Sequence, residues 1–177
     1  MNAGFLAAVQ SADVDRVKQL LAQSSAEDVP QVCCRFEFGW TALHHAAHLG
    51  HSAVLQVLLA CGQPVDLEAR SDHLQTPLLL ATQSAHLDAM QTLLDAGANS
   101  NSSDEDLWSP LHFAVKSASL ETAQLLLRHH ADAYLRNKDG KTALELGGLL
   151  DESMASVETH DSWEETRQRA GSEGQSA

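Results

Sequence analysis

Residues 41–46 read TALHHA, and the same pattern returns three times along the chain. The later copies are TPLLLA at residues 76–81, SPLHFA at residues 109–114 and TALELG at residues 142–147. Their first residues lie 35, 33 and 33 positions apart. A repeat of this period predicts a stacked architecture, in which each repeat buries its apolar side against its neighbours.

A leucine pair and a turn residue follow each of the first three copies at a nearly constant distance. The pairs are Leu58-Leu59, Leu93-Leu94 and Leu126-Leu127, and the turn residues are Gly62, Gly97 and His130. Apolar residues at helical spacing predict a helix before each turn, and glycine suits the left-handed residue that ends many helices. Because His130 suits that conformation less well, we expect its turn to be strained or differently built.

Hydroxyl residues mark the start of a helix in every copy. Thr76 and Ser109 each precede proline, so the hydroxyl can accept a free N–H while proline occupies the first helical position. Thr142 and Glu145 have the spacing of a capping box. The helices that begin here are short and rich in alanine, so their neighbours can pack closely.

Together these features resemble the ankyrin repeat, which has a period of about 33 residues and the signature T-P-L-H-x-A. The chain departs from that signature at Leu79, which replaces His, and at Glu145 and Gly147 in the last copy. The resemblance implies an all-α solenoid of about five helix-turn-helix repeats with β-turn fingers between them. The terminal repeats are expected to be degenerate because they cap the stack against water.

The repeat pattern also predicts the domain organisation. We assign the array to residues 1–150, in repeats at residues 4–38, 39–70, 71–103 and 104–136 and a partial repeat at residues 137–150. Residues 151–177 form an acidic tail rich in Ser, Glu, Gly and Gln, a composition typical of disordered segments.

The bulk composition narrows the choice of partner and compartment. A net charge of −13 disfavours nucleic acid and membrane surfaces as partners and favours a basic protein surface. Three cysteines, two of them adjacent, do not suit a disulfide framework. No apolar run approaches the ~18 residues that a bilayer span needs. We expect a cytoplasmic monomer that can also enter the nucleus.

Four histidines, His44, His45, His48 and His51, lie close enough in sequence to suggest a metal- or ligand-dependent binding protein as an alternative. The resemblance implies instead that His44 and His51 hold loops and finish helices, and we favour that interpretation. No catalytic constellation is present, so we predict neither an enzyme nor a cofactor. Gly140-Lys141-Thr142 is no phosphate loop, since Leu135 stands where that motif needs glycine.

The resemblance implies that a protein partner binds the turn tips and the inner helices. The tip residues are Glu37, Phe38, Trp40, Asp72, His73, Gln75, Glu105, Asp106, Trp108, Lys138, Asp139 and Lys141. The inner-helix residues are His48, Leu49, Gln83, Ser84, Lys116 and Ser117.

Trp40 and Trp108 occupy the same slot two repeats apart, a slot that the resemblance implies is solvent-facing. Two interpretations stay open for each ring: an interface hot spot, or local packing over its own helix. Leu74 and Leu107 replace the turn glycine, so we expect those two turns to be reshaped.

Charge is distributed unevenly along the turns. Acidic residues are expected to form a ridge around the aromatic side chains: Glu37, Asp72, Asp104, Glu105, Asp106 and Asp139. Basic residues give the last repeats an opposite edge: Arg128, Arg136, Lys138 and Lys141. The favoured function is therefore a protein–protein interaction module, namely an adaptor, inhibitor or assembly factor. Its partner would present a basic patch beside an apolar groove.

Overall fold

The helix starts form where hydroxyl residues were expected to cap them. In the computed structural model, which describes residues 2–23 and 34–146, Thr76 Oγ1 accepts the N–H of Leu79 at 3.3 Å. Thr142 and Glu145 form the predicted capping box: the Thr142 N–H donates to the Glu145 carboxylate at 2.9 Å, and the Glu145 N–H donates to Thr142 Oγ1 at 3.2 Å. These bonds satisfy N–H groups that a helix leaves free at its first turn.

The described helices form two layers. The inner layer is α1 (Asn2–Gln10), α3 (Ala42–His48), α5 (Pro77–Gln83), α7 (Pro110–Lys116) and α9 (Ala143–Leu146). The outer layer is α2 (Val14–Gln23), α4 (Ser52–Ala60), α6 (Leu87–Asp95) and α8 (Leu120–Arg128). Among the described helices, α1–α8 pack as four pairs, and each helix also packs against its neighbours within the layer, including α9 against α7, so the pairs stack in one row. The predicted all-α array is confirmed.

Small and branched aliphatic side chains fill the space between the layers. Leu58, Met90, Leu93 and Leu126 are fully buried, and alanines such as Ala81 let the inner helices approach closely. Each fully buried large aliphatic side chain contributes about 1.5–3 kcal/mol of transfer free energy. The stack is therefore held by a continuous apolar core rather than by any single repeat.

The helix ends use left-handed residues as the sequence predicted. Gly62 and Gly97 have φ of 72° and 95°. His130 has φ of 62°, and the N–H of His130 donates to Leu127 just as the N–H of Gly97 donates to Leu94. The turn at His130 is therefore strained and not differently built.

Four five-residue fingers precede the inner helices α3, α5, α7 and α9, at residues 36–40, 71–75, 104–108 and 137–141. In each, the N–H of the first residue donates to the carbonyl of the fifth, at 2.7, 2.9, 3.2 and 3.0 Å in chain order. The N–H of the fourth residue donates to the carbonyl of the first, at 3.2, 2.9, 3.1 and 2.9 Å. The four fingers thus share these two hydrogen bonds, although the first finger differs at its third residue, where Phe38 has a positive φ of 60°.

The expectation that Leu74 and Leu107 reshape their turns is wrong. Both leucines adopt positive φ, 57° and 59°, beside 69° and 73° at the equivalent Gly39 and Gly140. The finger hydrogen bonds and the packing of the stack hold the leucines in a conformation that they do not favour.

The repeat boundaries given above stay predictions, and the assigned tail at residues 151–177 lies outside the described residues. Only the first helix of the partial last repeat, α9, falls within the described part of the chain. Within residues 2–23 and 34–146, no helix is both long enough and apolar enough to cross a membrane.

Candidate protein-binding surface

Backbone hydrogen bonds join neighbouring fingers into one continuous surface. In each case an N–H of one finger donates to a carbonyl of the finger before it: Asp72 to Phe38 at 2.9 Å, Glu105 to His73 at 3.3 Å, and Lys138 to Asp106 at 3.0 Å. The predicted tip residues on different repeats are therefore brought together.

Side chains at the base of the second, third and fourth fingers fix their shape. Ser71 Oγ accepts the N–H groups of His73 and Gln75, at 3.3 and 3.1 Å. Asp104 plays the same part in the third finger, where it accepts the N–H of Trp108 at 2.9 Å, and Asn137 Oδ1 accepts the N–H of Lys141 at 3.0 Å. A finger held at both its base and its tip presents its side chains in a preorganised position.

Trp40 is half-buried over its own helix and not fully solvent-facing. Its ring centroid lies 4.9 Å from that of His45 and 5.2 Å from that of His48, both in edge-on geometry. The Phe36 ring centroid lies 5.8 Å from the His45 ring centroid, also in edge-on geometry. One face of the indole is therefore used in local packing.

Trp108 repeats this arrangement two repeats later and is also half-buried. Its ring lies 5.2 Å from the Phe113 ring and 5.8 Å from the His112 ring. The exposed Lys116 places Nζ 4.9 Å from the indole centroid, a cation–π contact. Each indole thus folds onto the helix that follows it, as the local-packing interpretation has it, while its half-exposed ring leaves the hot-spot interpretation open.

His44 links α3 to the next finger and is fully buried. The N–H of Thr41 donates to Nδ1 at 3.0 Å, so Nε2 carries the proton and donates to the Gln75 carbonyl at 3.0 Å. Burial lowers the pKa of His44 from 6.5 to about 4, against the opposing effect of the Gln75 hydrogen bond. The imidazole is therefore neutral at physiological pH.

His112 makes the same link one finger further along. The N–H of Ser109 donates to His112 Nδ1 at 3.2 Å, and Nε2 lies 3.1 Å from the Lys141 carbonyl. In the repeat between them, Leu79 fills this position and is fully buried instead. The signature histidines thus act as connectors between repeats.

The histidines of the proposed metal cluster serve separate structural roles. Both ring nitrogens of His44 are used, His51 Nε2 lies 3.1 Å from the Gln10 carbonyl, and His48 Nδ1 lies 3.2 Å from Ser84 Oγ. In the described part of the chain, no three His, Cys, Asp or Glu side chains are grouped so that they could hold a metal ion. The geometry does not favour the metal-dependent alternative.

The inner-helix residues face one side of the array. Exposed side chains there include His48, Leu49, Gln83, Lys116 and Ser117, whereas Ser84 is half-buried. The half-buried Gln75 donates from Nε2 to Gln83 Oε1 at 3.3 Å, which ties the second finger to α5. The predicted tip and inner-helix residues therefore lie on one continuous face.

Side-chain contacts pair some residues of the predicted acidic ridge and basic edge. Between neighbouring fingers, Lys138 Nζ lies 3.0 Å from the Asp106 carboxylate, and His73 Nδ1 is in hydrogen-bond contact with Glu105 at 3.3 Å. Arg136 pairs with Glu145 of α9 at 3.2 Å. Lys138 and Asp106 show that residues about one repeat apart in sequence become neighbours in the stack.

Sequence reasoning missed two tip residues, Leu74 and Leu107, which are 45% and 48% exposed. With Phe38, 64% exposed, they place a large apolar side chain on each of three successive fingers. The sequence did contain the pattern that would have identified them: leucine stands twice in a glycine slot, where a side chain must point away from the turn.

Comparison with known proteins agrees with this architecture. The family model for ankyrin repeats (three copies) matches residues 5–104, and the model for ankyrin repeats (many copies) matches residues 93–146. The chain therefore belongs to the ankyrin-repeat family, whose repeats generally mediate protein–protein interaction and are typically non-catalytic.

Individual relatives share the repeats and extend far beyond them. A transient receptor potential cation channel subfamily A member 1 homolog of Caenorhabditis elegans is 38% identical over 50% of this chain and 7% of its own length. Ankyrin repeat and SOCS box protein 11 of Danio rerio is 37% identical over 59% of this chain and 34% of its own length. Ankyrin repeat and SOCS box protein 2 of Homo sapiens is 35% identical over 57% and 15%. The chain thus matches about a third or less of each of these relatives.

Proposed function

We propose that this chain is a protein–protein interaction module that acts as an adaptor, inhibitor or assembly factor. The observation that carries the proposal is the continuous face formed by the hydrogen-bonded fingers and the inner helices. Such extended faces are what repeat solenoids use to bind partners. The relatives named ankyrin repeat and SOCS box protein share the repeats that build this face.

The half-buried indoles of Trp40 and Trp108 are the proposed anchors on this face. Each ring is fixed on one side by its own helix, so little side-chain entropy remains to be lost when a partner covers the other side. Tryptophan is enriched at interface hot spots, where truncation weakens binding by ~2 kcal/mol or more. Local packing and partner binding are therefore compatible uses of the same ring.

Charge supports a partner with a basic patch. Among the described residues, Glu37, Asp72 and Asp139 are exposed and make no ion pair within 4.0 Å. Lys and Arg on the partner would complement them and would mainly speed association.

We place this interaction in the cytoplasm, with access to the nucleus.

Affinity capture from cell lysate tests the proposal. The bait is the intact chain, compared with a Trp40→Ala, Trp108→Ala double variant and with Leu120→Ala, which changes an exposed leucine on the outer layer. Circular dichroism melts first establish that all three fold equally. Partners that bind the wild type and Leu120→Ala but not the tryptophan variant are expected.

Two outcomes count against the proposal in different ways. Partners retained by the tryptophan variant would move the binding site away from the two indoles. No specific partner for the folded wild-type chain, across lysates of several cell types, would contradict the interaction module itself.

A further inference from the structure

Phe38, Leu74 and Leu107 form an apolar row along the tips of the first three fingers. They are 64%, 45% and 48% exposed, and each belongs to a different repeat. The backbone bonds from Asp72 to Phe38 and from Glu105 to His73 place the three tips in direct succession. An ordered row of exposed large apolar side chains is a feature of interaction sites rather than of ordinary surface.

All three members of this row are held in an unfavourable backbone conformation. Phe38, Leu74 and Leu107 have φ of 60°, 57° and 59°, in the left-handed region that non-glycine residues disfavour. The equivalent Gly39 and Gly140 show that the finger accepts glycine. The finger hydrogen bonds and the packing of the stack hold the leucines in this conformation although about half of each side chain is exposed, and strain of this kind is found at binding sites.

The geometry of the tips indicates which secondary structure a bound partner segment would have. At each step between fingers, one tip N–H and one tip carbonyl bond the neighbouring finger rather than a partner. A helix suits such a surface because it satisfies its own backbone groups. Leu74 and Leu107 are each the fourth residue of their finger, and Phe38 is the third residue of the finger before them. One step between equivalent positions of neighbouring fingers crosses one backbone hydrogen bond and one residue of chain, roughly 9 Å. This step is close to the ~10.5 Å rise of seven helical residues.

The charges beside the row indicate which residues would flank the apolar positions of a bound partner segment. The exposed carboxylates of Glu37 and Asp72 lie next to the first two members of the row, and among the described residues neither makes an ion pair within 4.0 Å. Glu105, near the third, pairs only with His73. A segment with Lys or Arg beside its apolar residues complements this surface.

We propose that the apolar row docks an amphipathic helix of a protein partner, with an apolar residue at every seventh position and basic residues beside it. This inference rests on the proposed function and names the part of the partner that the fingers recognise. It uses Leu74 and Leu107 as specificity-determining residues, in addition to the tryptophans of the inner face.

A synthetic probe tests the row directly. The probe is a fluorescent helical peptide of about 21 residues, with leucine at every seventh position and lysine beside each leucine. Its binding to the full chain is followed by fluorescence anisotropy. We expect saturable binding that weakens as salt is raised, and that falls roughly tenfold or more in Leu74→Gly, Leu107→Gly.

The glycine variant is suited to this test because it removes the side chains while the turns keep their positive φ. Leu120→Ala, on the outer layer, is the matched control and is expected to bind like the wild type. A peptide with glutamate in place of lysine is expected to bind at least tenfold more weakly.

Three results would overturn the inference: no binding of the peptide, binding unchanged in the double glycine variant, or equal binding of a proline-rich peptide that carries the same leucines. Each is distinguishable from failure of the proposed function. If lysate partners still depend on Trp40 and Trp108 while the peptide result is negative, the interaction module stands and the helix-docking row does not.

Discussion

At the scale of single residues, the left-handed leucines are the least expected feature of the fold. A leucine at positive φ brings its Cβ close to the following carbonyl, a contact that glycine does not have. Leu107 keeps this conformation with half of its side chain exposed. Local preference is therefore overruled by the finger frame, which fixes the same φ in every repeat.

The strain at Leu107 can be measured with a pair of substitutions. Both Leu107→Gly and Leu107→Ala remove the exposed leucine side chain, but only glycine removes the backbone strain at positive φ. We expect the glycine variant to be more stable than the alanine variant by about 1 kcal/mol in urea unfolding. An alanine variant as stable as the glycine variant would show that the turn relaxes to negative φ and that no strain is held there.

Gly50 is the opposite case, a position where the stack requires glycine. It has φ of 73°, and a Cβ at this position would lie 2.7 Å from the His86 ring of the next repeat. Ala85 and Ala118 fill the same slot in later repeats with φ of 56° and 52°. A methyl group is thus tolerated by the turn itself but not beside His86.

Gly50→Ala should therefore destabilise the protein by about 1–2 kcal/mol, in part through backbone strain and in part through the contact with His86. Ala85→Gly is the control, and it should change stability by less than about 1 kcal/mol. Thermal or urea unfolding of both variants measures the difference. If Gly50→Ala unfolds like the wild type, the close approach of His86 is not maintained in solution.

At the scale of elements, His44 joins α3 to the second finger through a neutral imidazole. Its pKa is lowered to about 4 in the folded state, against an ordinary 6.5, because it is buried. Between pH 6.5 and 4 the unfolded chain therefore binds a proton that the folded chain does not. By linkage, stability falls as pH is lowered through this window, by up to about 3 kcal/mol from this one group.

His44→Leu tests this pH dependence, because Leu79 already fills the equivalent position of the next repeat. The Gln75 carbonyl stays bonded in the variant, since it also accepts the N–H of Ser71 at 2.9 Å. We expect the difference in stability between wild type and variant to shift in favour of the variant as pH falls from 6.5 to 4. A constant difference across this range would contradict a buried neutral His44.

Helix starts, helix ends and the identity of the core were predictable because each depends on a few residues close together in sequence. Thr76, Gly97 and Leu93 have the conformations or burial that their local patterns predict. The orientation of Trp40 could not be predicted from its neighbours in sequence. Packing over α3 and exposure to solvent are both compatible with its slot, and the choice depends on His45 and His48 together.

At the scale of the whole molecule, the interaction face depends on how the repeats stack. Lys138 and Asp106 are 32 residues apart in sequence but form an ion pair, and His73 and Glu105, also 32 residues apart, form a side-chain hydrogen bond. The repeat period would have predicted such pairs had charges been compared one repeat apart. The apolar row could not be predicted for a related reason. Its members are isolated apolar residues in the sequence, and they form a surface only when the repeats stack.

The stack also predicts how a defect spreads. Each repeat of a solenoid contacts only its neighbours, so a cavity in the middle breaks packing on both sides while a cavity at one end affects one side. Leu93 in α6 is fully buried between α4 and α8, and Phe5 in α1 is fully buried at the N-terminal end of the described array. Leu93→Ala is expected to cost about 2–5 kcal/mol and Phe5→Ala about 3–5 kcal/mol.

The two variants should nevertheless differ in where the chain opens. Amide hydrogen exchange resolved along the chain should show that Leu93→Ala lowers protection in α3–α8, since both halves lose their support. Phe5→Ala should lower protection mainly in α1 and α2. If Leu93→Ala unfolds in urea at the wild-type midpoint, the assigned helical register of α6 is wrong. If both variants give one uniform loss of protection, the array opens as a single cooperative unit and nearest-neighbour packing does not limit the spread.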